Sequence, residues 1–250
     1  MELLGMASVV LLDSASFLVS GVMISLISVS SCPSEQHFKT ADPTTVTATW
    51  TTTWQEWLEG LRLVKREFWL ISLFAVMGVA AFAQGIVNAL AVIFMREVLG
   101  AGALEIGWLV AIQGIGGLIG GFVVGRVGKL LRPFRLIMLG ELMVGLIFLT
   151  MYSFPSLLLA LILSALLAIP ATGYQVGTQT LLQSKVADRY RGRIFGTRDT
   201  TSALLMLGGL VLASVLGDVL GATPMLKVAG GLFFFAGVIA LVLLRRDPGS

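Results

Sequence analysis

The chain is short of nearly every side chain on which catalysis and metal binding are usually built. Its 250 residues include one cysteine, Cys32, and one histidine, His37. A lone thiol excludes an internal disulfide, and a single imidazole leaves no Cys/His ligand set, so neither a metal nor another cofactor is expected. Charge is also scarce, at 12% Asp, Glu, Lys and Arg. The basic residues flank apolar runs and do not form one stripe interleaved with aromatics, which argues against nucleic acid as a partner. No apolar run contains a nucleophile with a base, or a cluster of acids, so an enzyme is not expected either.

What the chain does have is hydrocarbon. Hydrophobic residues make up 56% of it and the mean hydropathy is +0.94, more apolar surface than a water-facing domain of this length could bury. The natural partner is a lipid bilayer. Crossing its core takes about 20 apolar residues, and seven stretches qualify: residues 7–29, 68–95, 103–125, 134–152, 155–183, 200–219 and 223–244. Lipid offers backbone groups no partners and the runs lack strand-like alternation, so each is read as a helix. The expected fold is an all-α integral membrane protein with seven transmembrane helices. The first run opens with Glu2, carries Asp13 and lacks a basic leader, so it is read as a span and not as a cleaved signal peptide.

Charge asymmetry orients these spans. Fifteen of the seventeen Lys and Arg residues fall in alternate connections, and only Arg96 and Lys227 occupy the opposite ones. By the positive-inside rule the N-terminus is expected outside and the C-terminus in the cytoplasm of a multi-pass plasma-membrane protein.

One connection is long, and it divides the chain into a single span (1–29), a linker (30–67) and a six-span unit (68–250). Residues 30–53 are rich in Ser, Thr and Pro without apolar period, as in a flexible linker. Next, Thr53 and Glu56 have capping-box spacing, and Trp54, Trp57, Leu58, Leu61, Val64 and Phe68 recur on one helical face. That predicts an amphipathic helix, lying on the membrane surface or against the ends of neighbouring helices. Glycine is abundant, with 29 residues. Gly116/Gly120, Gly117/Gly121/Gly125 and the series Gly209, Ala213, Gly217, Gly221 leave small residues four apart, which suits either tight helix packing or surfaces that slide.

Three segments carry a family resemblance. Gly121, Gly125, Arg126, Gly128, Lys129 and Arg132 stand at the third-to-fourth connection. They resemble the cytoplasmic loop signature of the major facilitator superfamily, with Gly125 where the signature has an acid. The run Asp188-Arg189-Tyr190-Arg191-Gly192-Arg193 looks like the connection between the tenth and eleventh helices of that superfamily's drug, macrolide and siderophore exporters. Leu11, Asp13 and Phe17 look like part of the sixth helix in the same branch.

On that resemblance the seven spans correspond to helices six through twelve. The last six then form the C-terminal half-bundle, and the chain is expected to be a truncated product, a fragment or a wrongly assigned start, or else to work with a missing N-terminal half supplied in cis or trans. The resemblance further implies secondary efflux of a small organic substrate, driven by protons, with the second and fifth spans facing the cavity. Their polar residues are Gln84 and Asn88 on the second and Tyr174, Gln175, Thr178 and Gln179 on the fifth, joined by Gln113 on the third. Uncharged amides among apolar walls suit an amphipathic compound, and the same groups could equally bond helix to helix. Pro170, close to Gly173 and Gly177, should kink or loosen the fifth span. Glu141 and Asp13 are the ionisable groups within or near the bilayer and so the candidates for proton coupling, with bonding to a neighbouring helix as their ordinary alternative. A seven-helix receptor or sensor would share the topology, but the seventh span has no mid-membrane lysine for a retinal Schiff base.

Overall fold

A computed structural model describes residues 2–26, 46–65, 67–128 and 131–243. They fall into two compact units, 1–45 and 46–250. Cys32, His37, Lys39, Arg66, Lys129, Arg245 and Arg246 lie outside the described residues.

The first unit contains one helix, α1 (Glu2–Ser25). Its hydroxyls bond back to the helix, Ser16 to the Asp13 carbonyl at 2.8 Å and Ser20 to the Ser16 carbonyl at 2.9 Å. Such bonds let polar side chains sit in an apolar helix. Among the described residues six helices, all in the second unit, are long and apolar enough to cross a membrane. Six of the seven expected spans therefore stand on length and composition.

The second unit opens with α2 (Val46–Val64), followed by α3 (Phe68–Ile93), which ends in a π-helical turn, Phe94–Val98. Five more helices follow: α4 (Ala103–Val127), α5 (Pro133–Ser153), α6 (Leu157–Lys185), α7 (Asp188–Leu220) and α8 (Ala222–Leu243). Local chemistry punctuates them. Gly100 and Gly221 adopt positive φ angles of 63° and 84°, a conformation that costs glycine nothing. Gly221 therefore ends α7 and does not extend its packing stripe. Pro133 occupies the first turn of α5, where its missing N–H is no loss.

The sequence reading placed the start of the sixth span at residue 200, twelve residues too late. Helix α7 begins at Asp188, so the run expected to be a connection is helical and only residues 186–187 separate it from α6. Hydropathy reports where a helix meets lipid, whereas the hydrogen-bonded ladder continues for about 18 Å beyond it at 1.5 Å per residue. Arg191 secures this corner. Its guanidinium pairs with Asp188 at 2.7 Å and donates to the Gln183 carbonyl, satisfying a C-terminal group of α6 that has no helical partner.

Helix α2 corrects the linker reading as well. It starts at Val46, so Thr53 lies inside the helix and not at its start. It packs on α7 through Trp57, Gly60 and Val64, with Val64 buried, while Trp54 and Leu58 of the expected stripe stay exposed. The Trp57 indole N–H donates to Thr201 Oγ1 at 3.0 Å, and Glu59 pairs with Arg193 at 3.1 Å. Both members of that pair are about half exposed, so it contributes little. Gly60 matters more, since a Cβ there would overlap the Thr197 side chain. Gly60→Leu is expected to lift α2 off α7, and the check is tryptic cleavage at Arg62 and Lys65, which should accelerate in folded protein. Unchanged cleavage would show that α2 is not held by this contact.

Glycines set the distances between the spans. Gly78, Gly85 and Gly209 bring α3 and α7 together, with Gly85 against the Met206 carbonyl and Gly209 against the Phe82 carbonyl. Gly145, Gly230 and Gly237 do the same for α5 and α8, and Gly140 and Gly177 for α5 and α6. In lipid, where no hydrophobic force drives helices together, such approach supplies the dispersion contacts that hold them. The two expected α4 stripes differ. Gly116 and Gly120 back onto α6, whereas a Cβ on Gly117, Gly121 or Gly125 would meet nothing within 4 Å. Packing runs α4, α6, α5, α8, α3, α7, so α4 and α7 form the two ends of the series and carry many exposed apolar side chains.

Candidate substrate cleft

A cleft of about 860 Å³ opens between α3, α4 and α6, with the C-terminal end of α5 at its base. Four of the sequence-derived candidates line it: Gln84, Asn88, Gln113 and Gln175. Gln84 and Asn88, one turn apart, are tied by a hydrogen bond of 2.8 Å that Gln84 Nε2 donates to Asn88 Oδ1. The Asn88 amide also reaches Met206 Sδ on α7 at 3.7 Å. This arrangement orients both groups while leaving the Gln84 carbonyl oxygen without a bond in the pair.

Three candidates are not on the cleft. Tyr174 packs into the bundle against Gly140 of α5, Thr178 is buried, and Gln179 accepts a hydrogen bond of 3.3 Å from Arg198. On α6 the cleft takes Ala171, Thr172, Gln175 and Val176, one helical face. Tyr174 stands at the edge of that face, where α5 covers it at Gly140, and Thr178 lies beyond Val176, the last α6 residue on the cleft.

The sequence reading missed Phe148 and Tyr152, which reach the cleft from α5. Tyr152 stacks on Phe148 at 5.6 Å and meets Phe94 edge-on at 5.1 Å. Its hydroxyl is buried without a hydrogen-bond partner. The one available signal was the four-residue spacing of Phe148 and Tyr152, which places both on one face.

Glu141 is deep in the bundle, 2% exposed, and is the one carboxylate buried among the described residues. Its helical neighbours join two different apolar clusters, Ile137 in one and Val144 with Phe148 in the other. It therefore sits where the clusters meet. Its Oε2 has no hydrogen-bond partner, an expensive arrangement inside a protein. Asp13 is exposed on α1, in the other unit.

The loop-motif residues gather at one end of the bundle. Arg126 stacks over the Phe122 ring at 3.7 Å, the Gly128 N–H closes α4 on the Val124 carbonyl at 2.6 Å, and Arg132 is the N-cap of α5. Gly121 is open, and Lys129 lies outside the described residues. Asp188, Arg191, Gly192 and Arg193 occupy the first turns of α7.

Residues 73–250 match the sequence model of the Major Facilitator Superfamily, from the first turns of α3 through the rest of the chain. The chain belongs to the major facilitator superfamily. It is also 26% identical over 189 residues to the "Uncharacterized MFS-type transporter YfiS" of Bacillus subtilis (strain 168). That alignment covers 74% of this chain and 45% of the relative, so the chain spans less than half the relative's length. Superfamily membership and six apolar helices together make this a multi-pass membrane protein.

Proposed function

We propose that this chain is the C-terminal half of a secondary active transporter that exports a small amphipathic organic compound across the plasma membrane in exchange for protons. The observation that carries the reading is the cleft, where four neutral amides converge among apolar and aromatic walls. An inorganic ion would call for charged or carbonyl-rich coordination, whereas an amphipathic molecule needs a dry wall and a few hydrogen bonds. The α4 and α7 faces at the ends of the packing series suit a second six-helix bundle, in cis or trans. Superfamily transporters enclose the site between two such halves and alternate access by rocking. With α1 as a seventh span, the basic ends lie in the cytoplasm and the N-terminus outside.

Glu141 supplies the proton-exchanging group in this scheme. It lies on the same helix as Phe148 and Tyr152, two to three turns away, so a change at the carboxylate reaches the cleft through α5. A panel of organic compounds tested for uptake into everted vesicles, with the chain joined to an N-terminal half, tests the reading. Pump-driven accumulation of none of them would end it.

Asn88→Ala and Gln175→Ala each remove one hydrogen-bonding group, worth about 1 kcal/mol. Each should weaken substrate binding by about fivefold to tenfold at that energy. Equilibrium binding in proteoliposomes checks this, and unchanged affinity in both variants would take the amides out of the site.

A further inference from the structure

On the side of α6 away from the cleft, α4 and α5 both pack on α6 and leave a gap between them. The gap is a groove of about 460 Å³ with an almost wholly apolar lining. Its floor is Leu163, Leu166, Ile169, Pro170 and Gly173 of α6, and Gly140 deepens the α5 wall. Pro170 cannot donate to the Leu166 carbonyl, and Gly173 and Gly140 present no side chains, so the groove follows from the local sequence.

Along α5, Leu139, Met143, Leu146 and Thr150 repeat at three- and four-residue spacing and form the open wall. Arg135 continues that stripe one turn before Leu139, and Arg132 stands one turn before Leu136, which also lines the groove. Both arginines are exposed. The groove is therefore greasy along its length and cationic at one end. From Leu136 to Thr150 it runs about 21 Å at 1.5 Å per residue, which exceeds the half-thickness of about 15 Å that one leaflet's acyl chain occupies.

We propose that this groove is the seat of one anionic glycerophospholipid from the surrounding bilayer, its acyl chain between α4 and α5 and its phosphate on Arg132 and Arg135. The charge complementarity selects the lipid class. A zwitterionic lipid offers the same chain, but its choline opposes the arginines. The occupant spans the gap between α4 and α5, which both pack on α6, and so holds the two helices at a set separation.

The test uses the 250-residue chain itself, purified and exposed to equimolar phosphatidylglycerol and phosphatidylcholine, with retained lipid counted by native mass spectrometry. Phosphatidylglycerol should be retained over phosphatidylcholine by about thirtyfold, the scale set by two arginines near an anionic headgroup. Arg132→Gln with Arg135→Gln should abolish the preference. Met143→Trp, at a half-exposed position that tolerates bulk, should fill the groove and lower retention of both lipids. Arg189→Gln, an exposed arginine on α7, should change neither. Equal retention of the two lipids, an equal loss of preference in Arg189→Gln, or full retention in Met143→Trp would each overturn the proposal. The last result would place the lipid on the basic end without a seat in the groove.

Discussion

Gly85→Leu is expected to prevent α3 and α7 from packing. A Cβ on Gly85 would overlap the Met206 carbonyl and crowd the Leu210 amide, both backbone groups of α7. Overpacking usually costs about 1–3 kcal/mol because side chains can rotate away. Backbone in a hydrogen-bonded helix cannot, so this variant belongs at or above the upper end, and α3 also carries Gln84 and Asn88 to the cleft. Gly121→Leu is the matched control, since the same side chain there meets open space and should change stability by no more than about 0.5 kcal/mol. Thermal unfolding followed by circular dichroism in detergent distinguishes them. Similar melting of the two variants would mean that the α3–α7 approach does not limit stability. Joined to an N-terminal half, the Gly121 variant should lose its neutrality if that half covers the open face of α4.

Glu141→Gln should abolish pH-gradient-driven transport while leaving exchange of substrate for substrate intact. Glutamine has nearly the same shape but cannot give up or accept a proton in the required way. The fold should tolerate it, because a neutral amide is less costly to bury than a carboxylate whose Oε2 finds no partner. Proteoliposomes of the completed transporter, with an imposed pH gradient, provide the measurement, and counterflow without a gradient is the control. Gradient-driven accumulation equal to that of the parent protein would remove Glu141 from the coupling step. Loss of both activities would assign it a packing role instead.

How far the sequence could be read depends on the kind of question. The fourth span was expected at 134–152 and is Pro133–Ser153, while the third was expected at 103–125 and is Ala103–Val127. Those ends are written in local chemistry, the proline at the start of α5 and the turn at Gly100. The start of α7 was misplaced because Asp188–Asp199 is polar, and polarity says only that those turns are outside lipid. The cleft was half legible. Gln84, Asn88, Gln113 and Gln175 reach it and Tyr174, Thr178 and Gln179 do not, although all were chosen on the same grounds. Phe148 and Tyr152 came from α5, the fourth span, which the resemblance had not counted among those facing the cavity.

Sequence alone determined that the protein lives in a bilayer, where six of its helices start and stop to within a few residues except at α7, and that fifteen of its seventeen Lys and Arg residues fall in alternate connections. Each of these follows from a segment's own preference for lipid, water or a turn, and needs no neighbour. Tertiary structure decided which glycine stripe touches a partner, which amides face the cleft, and that Glu141 is enclosed. A soluble helix advertises its inner face by being apolar on one side. A helix in lipid is apolar all round, so its rotation becomes visible only when the packed neighbours are seen.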